Sequence, residues 1–303
     1  MKRRTTTIII SVILFLFALG LTLYPVVANY VNQKYASEVH TAYLEVVEQA
    51  DDTALQEARE LAILYNQAIV PGTAATDAYS KEAILSASED YGHQLNVAGD
   101  GIMGYIEIPT INVNLPIYHG TGSDSLERGV GHLLGSSLPV GGESTHAILT
   151  GHSGMASQKM FTDLVQVEVG DVFYLHILNE TLAYQVRELN TVLPHDTSLL
   201  GISSGEDLCT LITCTPYGIN THRLLVTGNR IPYEEAETIV EEITQQEQQP
   251  RSTWEEKYIA GIVAGIFAVL IVALVIGIII QIRKLIAENR RYGKYRGGRH
   301  VQK

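Results

Sequence analysis

Cystine is ruled out early in these 303 residues, because the chain has only two cysteines and their spacing keeps them apart. Cys209 and Cys214 lie in one apolar, β-branched run from Leu208 to Thr215. A strand rises about 3.3 Å per residue, which puts their Cα atoms roughly 16 Å apart on opposite faces. A disulfide needs a separation under about 7 Å. The two cysteines therefore stay unpaired with each other. The middle of the chain is also poor in basic residues. Of 21 lysines and arginines, 11 lie at the two ends, leaving 10 in the middle against 32 acidic residues. So acidic a segment excludes nucleic-acid binding and suits a basic or lysine-bearing partner, although solubility alone also accounts for the charge. There is no internal repeat and no low-complexity block. Close metal-ligand spacing is missing as well: His119, His132, His146 and His222 are scattered, and Asn96 to Gly101 lacks the spacing and terminal Glu of a calcium loop. No cofactor or metal is expected.

Two hydrophobic runs are present. Ile8 to Ala28 is broken only by Ser11, Gly20, Thr22 and Pro25, and Tyr258 to Ile282 carries no charge. Each is long enough as a helix to cross a hydrocarbon core of about 30 Å. Lys2, Arg3 and Arg4 precede the first run, and eight basic residues follow the second. Basic flanks stay cytoplasmic, so both termini read as inside and the middle as outside the cell. The first run reads as a retained anchor, because the bulky Val26 makes a poor cleavage site. A cleaved signal peptide is the alternative, and the second run anchors the chain either way. An unpaired thiol outside the cell then calls for a reason, and catalysis supplies one.

The organisation follows from periodicity. Residues 1–30 form the basic tip and first membrane helix. Val39, Ala42, Tyr43, Val46, Val47 and Ala50, then Leu55, Ala58, Leu61, Ala62, Tyr65 and Ile69, recur at helical spacing, with Asp51-Asp52-Thr53 dividing two helices. Residues 71–77 read as a loop, and a short helix is predicted over about 81–95. From Ile102 eight apolar or alternating runs predict strands: 103–109, 111–118, 129–133, 146–150, 172–178, 182–193, 208–213 and 223–231. The expected fold is mainly β with N-terminal helices, its eight strands forming a closed barrel or a sandwich over residues 96–235. A juxtamembrane linker (236–257), the second membrane helix (258–282) and a basic tail (283–303) complete the chain.

Three residues could carry chemistry. Cys214 precedes Thr215-Pro216, and proline cannot continue a ladder, so Cys214 belongs at a strand end. Cys209 lies mid-strand and should pack as a small apolar side chain. If the flanking strands form a hairpin, Arg223 returns to the level of Cys214, where a guanidinium could stabilise an oxyanion. His152, in Thr150-Gly151-His152-Ser153-Gly154, follows the apolar run ending at Thr150. On position alone, each has an ordinary reading as a structural thiol, a solvated arginine or one of 10 histidines.

Thr210-Leu211-Ile212-Thr213-Cys214 matches the TLxTC signature of sortases, and the run from Thr213 to Val226 resembles the class C, pilin-specific branch. So do Gly104 to Pro109, Leu115 to Tyr118, Gly131 to Leu133, Ser136 to Gly142 and Phe161 to Leu164. The resemblance covers about Thr76 to Tyr233 and both membrane runs. It implies a sortase-like eight-stranded β-barrel outside the cell, between two transmembrane helices. It implies Cys214 as nucleophile, His152 as general acid/base and Arg223 as stabiliser of oxyanion and substrate. The implied reaction cleaves an LPxTG-like motif through a thioacyl enzyme and joins it to a lysine of another pilin subunit. Class C enzymes carry an Asp-Pro-aromatic lid. Here Asp77-Ala78-Tyr79 matches it within a loop at about 71–83, with Ala78 in place of proline; the resemblance makes Asp77 and Tyr79 lid residues, and the looser backbone at Ala78 implies an easier opening. The implied partners are pilin subunits and the lipid bilayer. Single-protein anchoring to the cell wall is the alternative within the family. A membrane-tethered binding or adhesion module is the alternative outside it, and that reading leaves Cys214 unexplained.

Overall fold

The computed structural model describes residues 2–69, 79, 89–155, 157–247, 251 and 254–297. Helix α1 (Lys2–Gln49) is continuous through Pro25. Its first part is apolar all round, and residues such as Ile13, Phe15 and Phe17 stand more than half exposed. Its second part turns amphipathic and seats Tyr43 and Val47 in the core. After the break at Ala50-Asp51, α2 (Asp52–Ala68) begins, as the polar triplet predicts. Polar side chains help fasten both helices to the barrel domain. The Tyr43 hydroxyl donates to the Met103 carbonyl (3.2 Å) and accepts from the Leu178 N–H (2.8 Å). The Asn66 amide pairs with both backbone groups of Leu138. Of the helix expected near 81–95, α3 (Glu89–His93) is described; the expected loop at 71–77 and Asp77 lie outside the described residues.

Eight strands follow: β1 (Ile102–Ile108), β2 (Val113–His119), β3 (Val130–His132), β4 (Thr145–Thr150), β5 (Val172–Ile177), β6 (Glu180–Val192), β7 (Asp207–Thr215) and β8 (His222–Ile231). They close into a barrel in the order β1-β2-β3-β4-β7-β8-β6-β5, so the closed barrel replaces the open choice between barrel and sandwich. Closure leaves no free edge. β1 turns into β2 through a short 3-10 segment, Pro109–Ile111, ended by Asn112 in the left-handed region (φ 49°). Parallel pairing of β2 with β3 and of β4 with β7 interrupts the antiparallel ladders. β4 is buried on both faces, so it reads as one apolar run without alternation. Stacked Phe173 and Tyr184 rings fill part of the interior (5.5 Å between centroids). A Cβ on Gly228 would come within 2.7 Å of Phe173, so the ring sits where β8 has no side chain.

The stretch expected as a linker over 236–257 departs from that reading. It begins inside helix α4 (Tyr233–Glu247; the single-turn helix at Ser123–Leu126 is left unnumbered), whose Ala236, Ile239 and Val240 pack on Val172, Tyr174, Ala183 and Ile231. Its many Glu and Gln residues hide a weak three- and four-residue apolar period. Arg251 then ties the chain back to the barrel. Its guanidinium binds Glu247 (2.8 Å) and the buried Asp171 (2.9 Å), and its N–H donates to the Thr110 carbonyl (2.6 Å). Helix α5 (Trp254–Gly297) belongs, from Glu255 onward, to a second compact unit. Within it Glu256–Ile286, like the helical stretch Val12–Gln49, is long and apolar enough to cross a membrane.

Candidate active site

β4 and β7 are parallel, so they end at the same rim of the barrel, and antiparallel β8 starts there. The loop carrying His152 leaves β4 at Thr150. Cys214 lies next to the end of β7, and Arg223 near the start of β8. Cys214 and Arg223 are directly opposed in the β7–β8 register, and opposed residues in an antiparallel pair project from the same face. The hairpin expected between them is thus formed, with Gly218 (φ 73°) and Asn220 (φ 60°) supplying the left-handed backbone of its loop. Cys209, five residues earlier, is fully buried in the core, and burial pushes its thiol pKa well up. Cys214 is half-buried, and neither cysteine is in a disulfide.

The backbone around the rim is tightly held. The Gly151 N–H donates to the Ile212 carbonyl (3.0 Å), and the Thr213 hydroxyl donates to the Gly151 carbonyl (2.7 Å). Gly151 has Phe161 packed against it so closely that a Cβ would approach the ring to 2.8 Å. A larger residue there would force the Phe161 ring or the Gly151 backbone to shift. The Ser153 hydroxyl donates to the Cys214 carbonyl (2.5 Å), bridging the histidine loop to the cysteine strand. The Arg223 guanidinium lies near the carbonyls of Asn220 (3.4 Å) and His222 (3.3 Å).

Tyr79 spans all of this. Its hydroxyl donates to the Gly151 carbonyl (2.9 Å), its ring stacks against His152 (5.8 Å between centroids), and the Arg223 guanidinium sits over it at 4.8 Å. It also packs on a small apolar cluster of Leu133, Ile148, Leu200, Ile212 and Leu225. Burial, and next the adjacent Cys214, push its phenol pKa up, so the hydroxyl stays protonated and keeps donating. Burial holds the His152 imidazole below its usual range, with Glu127 opposing the shift, so the neutral ring is favoured under the tyrosine.

The structure thus brings Cys214, His152, Arg223 and Tyr79 together, while the candidate Asp77 lies outside the described residues. Ser153 and Thr213 also shape the rim; the sequence alone assigns neither a role, although Thr213 lies in the TLxTC run and Ser153 directly follows His152. Among the described residues no group of three His, Cys, Asp or Glu side chains could hold a metal ion. A thiol, an imidazole and a guanidinium at one rim can perform acyl transfer: a nucleophile, a proton carrier and a cation for a developing oxyanion.

Comparison with known proteins agrees with that chemistry. The family described as "Sortase domain" matches residues 106–231. The crystal structure of a mutant of sortase C-1 from S. pneumoniae is 41% identical; the similarity covers 65% of this chain and 98% of that one, with a TM-score of 0.61. The chain belongs to the sortase family. Sortases are cysteine transpeptidases. Sortase C-1 from Actinomyces oris is 46% identical over 59% of this sortase and 99% of its own chain (TM-score 0.55). Pilus-related Sortase C of Group B Streptococcus is 38% identical over 63% and 96% (TM-score 0.59). Its structural neighbours are therefore class C sortases. Curated relatives match over a shorter stretch. Sortase D of Bacillus subtilis is 32% identical over 42% of this chain, and Sortase A of Streptococcus agalactiae 31% over 45%. The chain spans 63% and 53% of the lengths of those two relatives.

Proposed function

We propose that this sortase is a pilus-assembling transpeptidase, anchored by two membrane helices with its barrel outside the cell. The observation that carries the reading is the opposition of Cys214 and Arg223 at the barrel rim, with His152 beside them and Tyr79 across them. Class C neighbours support the pilus branch, one of them described for its pilin substrate specificity and one as pilus-related.

In this reading Cys214 loses its proton to the neutral His152 imidazole as its sulfur attacks the carbonyl of an LPxTG-like motif. Arg223 stabilises the oxyanion. When the tetrahedral centre collapses, the peptide C–N bond breaks and His152 returns the proton to the departing amine. A thioester remains on Cys214. The amine of a pilin lysine then attacks that carbonyl, a C–N bond forms, the C–S bond breaks, and the proton passes through His152 back to the sulfur. Dividing one hard amide exchange into two acyl transfers is the advantage of a covalent intermediate.

The test uses the full chain in detergent micelles, an LPxTG-type peptide and a pilin domain bearing an accessible lysine. Mass spectrometry should find the acyl fragment first on Cys214 and then on the lysine. Absence of any adduct on Cys214 would reject the transpeptidase reading. Transfer to a cell-wall peptide amine with none to the pilin lysine would replace pilus assembly by wall anchoring.

A further inference from the structure

His152 opens a segment that runs to Thr162, the first residue of a 3-10 turn (Thr162–Gln166) ahead of β5. Its neck is closed near the catalytic rim: the Phe161 N–H donates to the His152 carbonyl (3.0 Å), and the Gly154 N–H to the Thr162 hydroxyl (3.1 Å). Its far side is held by α1, the helix that contains the first apolar run. The Lys159 N–H donates to Asn29 Oδ1 (3.0 Å), and Asn32 Nδ2 donates to the Ser157 carbonyl (3.0 Å). Asn29 and Asn32 are one helical turn apart and so share a face of α1. The Lys159 ammonium pins the same segment from the other side. It donates to the Ile111 carbonyl and pairs with Asp163 at 3.4 Å, with both side chains almost fully buried.

Two features make the asparagines more than incidental contacts. Asn29 is only 2% exposed and comes directly after Ala28, the last residue of the apolar run, where an amide is costly to bury unless hydrogen-bonded. The seam around them is also not close-packed. A cavity of about 200 Å³ lies there, with Asn32, His40, Asn114 and Gln158 among its walls. Beside that opening, directional hydrogen bonds from Asn29 and Asn32 bridge the segment to α1.

We propose that Asn29 and Asn32, at the outer end of the first membrane helix, are positioning residues that fix the His152 segment and so couple the membrane anchor to the active-site histidine. Neither touches the reacting atoms. They act through the backbone of Ser157 and Lys159, whose placement sets where the neck and His152 sit. A small displacement of a catalytic group can cost up to about 100-fold in rate even when the altered residue is remote. The inference rests on the proposed function twice, on the transpeptidase reading for its rate prediction and on the reading of α1 as a membrane helix for the word anchor.

The experiment compares the full chain in detergent micelles with Asn29→Leu, Asn29→Asp and the Asn29→Leu/Asn32→Leu pair. Aspartate keeps an oxygen to accept the Lys159 N–H, and leucine does not. The double variant should lose roughly 10- to 100-fold in kcat for Cys214 acylation with KM nearly unchanged. Asn29→Leu should lose part of that, and Asn29→Asp should restore it. Alkylation of Cys214 followed against pH should shift in the double variant and not in Asn29→Asp, because an imidazole out of place no longer tunes the thiol. Wild-type kcat and an unshifted alkylation profile in the double variant would overturn the proposal. So would an equal loss in Asn29→Asp and Asn29→Leu, or a loss confined to KM. If the double variant fails to fold, the two single variants decide by the same criteria. If the wild-type chain forms no acyl adduct, the transpeptidase reading falls, while the alkylation profile still tests the coupling.

Discussion

The ring of Tyr79 lies under the Arg223 guanidinium at 4.8 Å while its hydroxyl donates to the carbonyl of Gly151, the residue before His152. One side chain thus occupies the cation that an oxyanion would need and stacks on the imidazole that would carry its proton. A cation–π contact of this kind contributes about 0.5–2 kcal/mol, and a neutral hydrogen bond about 1 kcal/mol. Their sum is the size of a gap that substrate binding can overcome.

Tyr79→Ala should therefore speed alkylation of Cys214 by a small thiol reagent, by roughly 10-fold if about 1.4 kcal/mol of cover is removed. Tyr79→Phe, which loses the bond to Gly151 and keeps the ring over Arg223, should fall between. The melting temperature should change little, because the tyrosine is only partly buried against a small cluster separate from the main core. Alkylation rates identical in all three proteins would mean that Tyr79 does not guard the thiol. Asp77→Ala, tested alongside, asks whether the candidate carboxylate adds to the cover.

The two cysteines separate chemistry from packing. Cys214→Ala should abolish acyl-enzyme formation and leave the fold intact. Cys209→Ala, deep in the core, should retain turnover and cost about 1 kcal/mol or more in stability through lost packing. His152→Ala and Arg223→Ala should each fold and lose at least about 100-fold in acylation. Peptide turnover by mass spectrometry checks all four. Normal acylation in Cys214→Ala would remove the residue from the mechanism.

Topology is testable without activity. The eight basic residues from Arg283 onward predict that a reporter fused after Lys303 faces the cytoplasm, and that a tag near Gln248 is reached from outside. A C-terminal reporter found outside the cell would contradict the two-span arrangement.

Much of the barrel was legible because its strands are bounded by chemically distinct residues. All eight predicted runs overlap observed strands, and the apolar stretch 146–150 became β4 with one added residue. The same legibility extended to the opposition of Cys214 and Arg223, since a short turn-rich connection between two strands leaves few registers. Tyr79 came forward only through the sortase resemblance; no local pattern could tell that its ring would reach residues over 70 positions away. Helix α4 was misread because its apolar stripe is thin beside its glutamates. The clasp between Asn29 and Lys159 was invisible, because two isolated polar residues 130 positions apart carry no periodic signal.

A fully buried histidine gives the sharpest pH prediction. His132 is fully buried on β3, where Nε2 lies 2.8 Å from the Ser137 carbonyl and Nδ1 2.8 Å from the Tyr91 hydroxyl. Those partners suit a neutral ring with its proton on Nε2. Burial lowers its pKa to about 4, the Ser137 bond partly opposes the shift, and nearby His119 adds to it. An unfolded histidine titrates near 6.5. Between those values the unfolded chain binds a proton that the folded chain refuses, so stability falls as pH drops from about 6.5 to about 4 and this contribution levels off below. The gap corresponds to about 3 kcal/mol at full extent. His146 and His152 are shifted in the same direction, so they add to the slope. His132→Gln isolates the residue, because its amide can still donate toward Ser137 but does not titrate. Urea unfolding of the full chain in micelles at pH 7 and pH 4.5 should show a smaller loss of stability in the variant than in the wild-type protein, even if the variant starts lower. Equal losses in the two proteins would show that His132 is not held neutral in the fold.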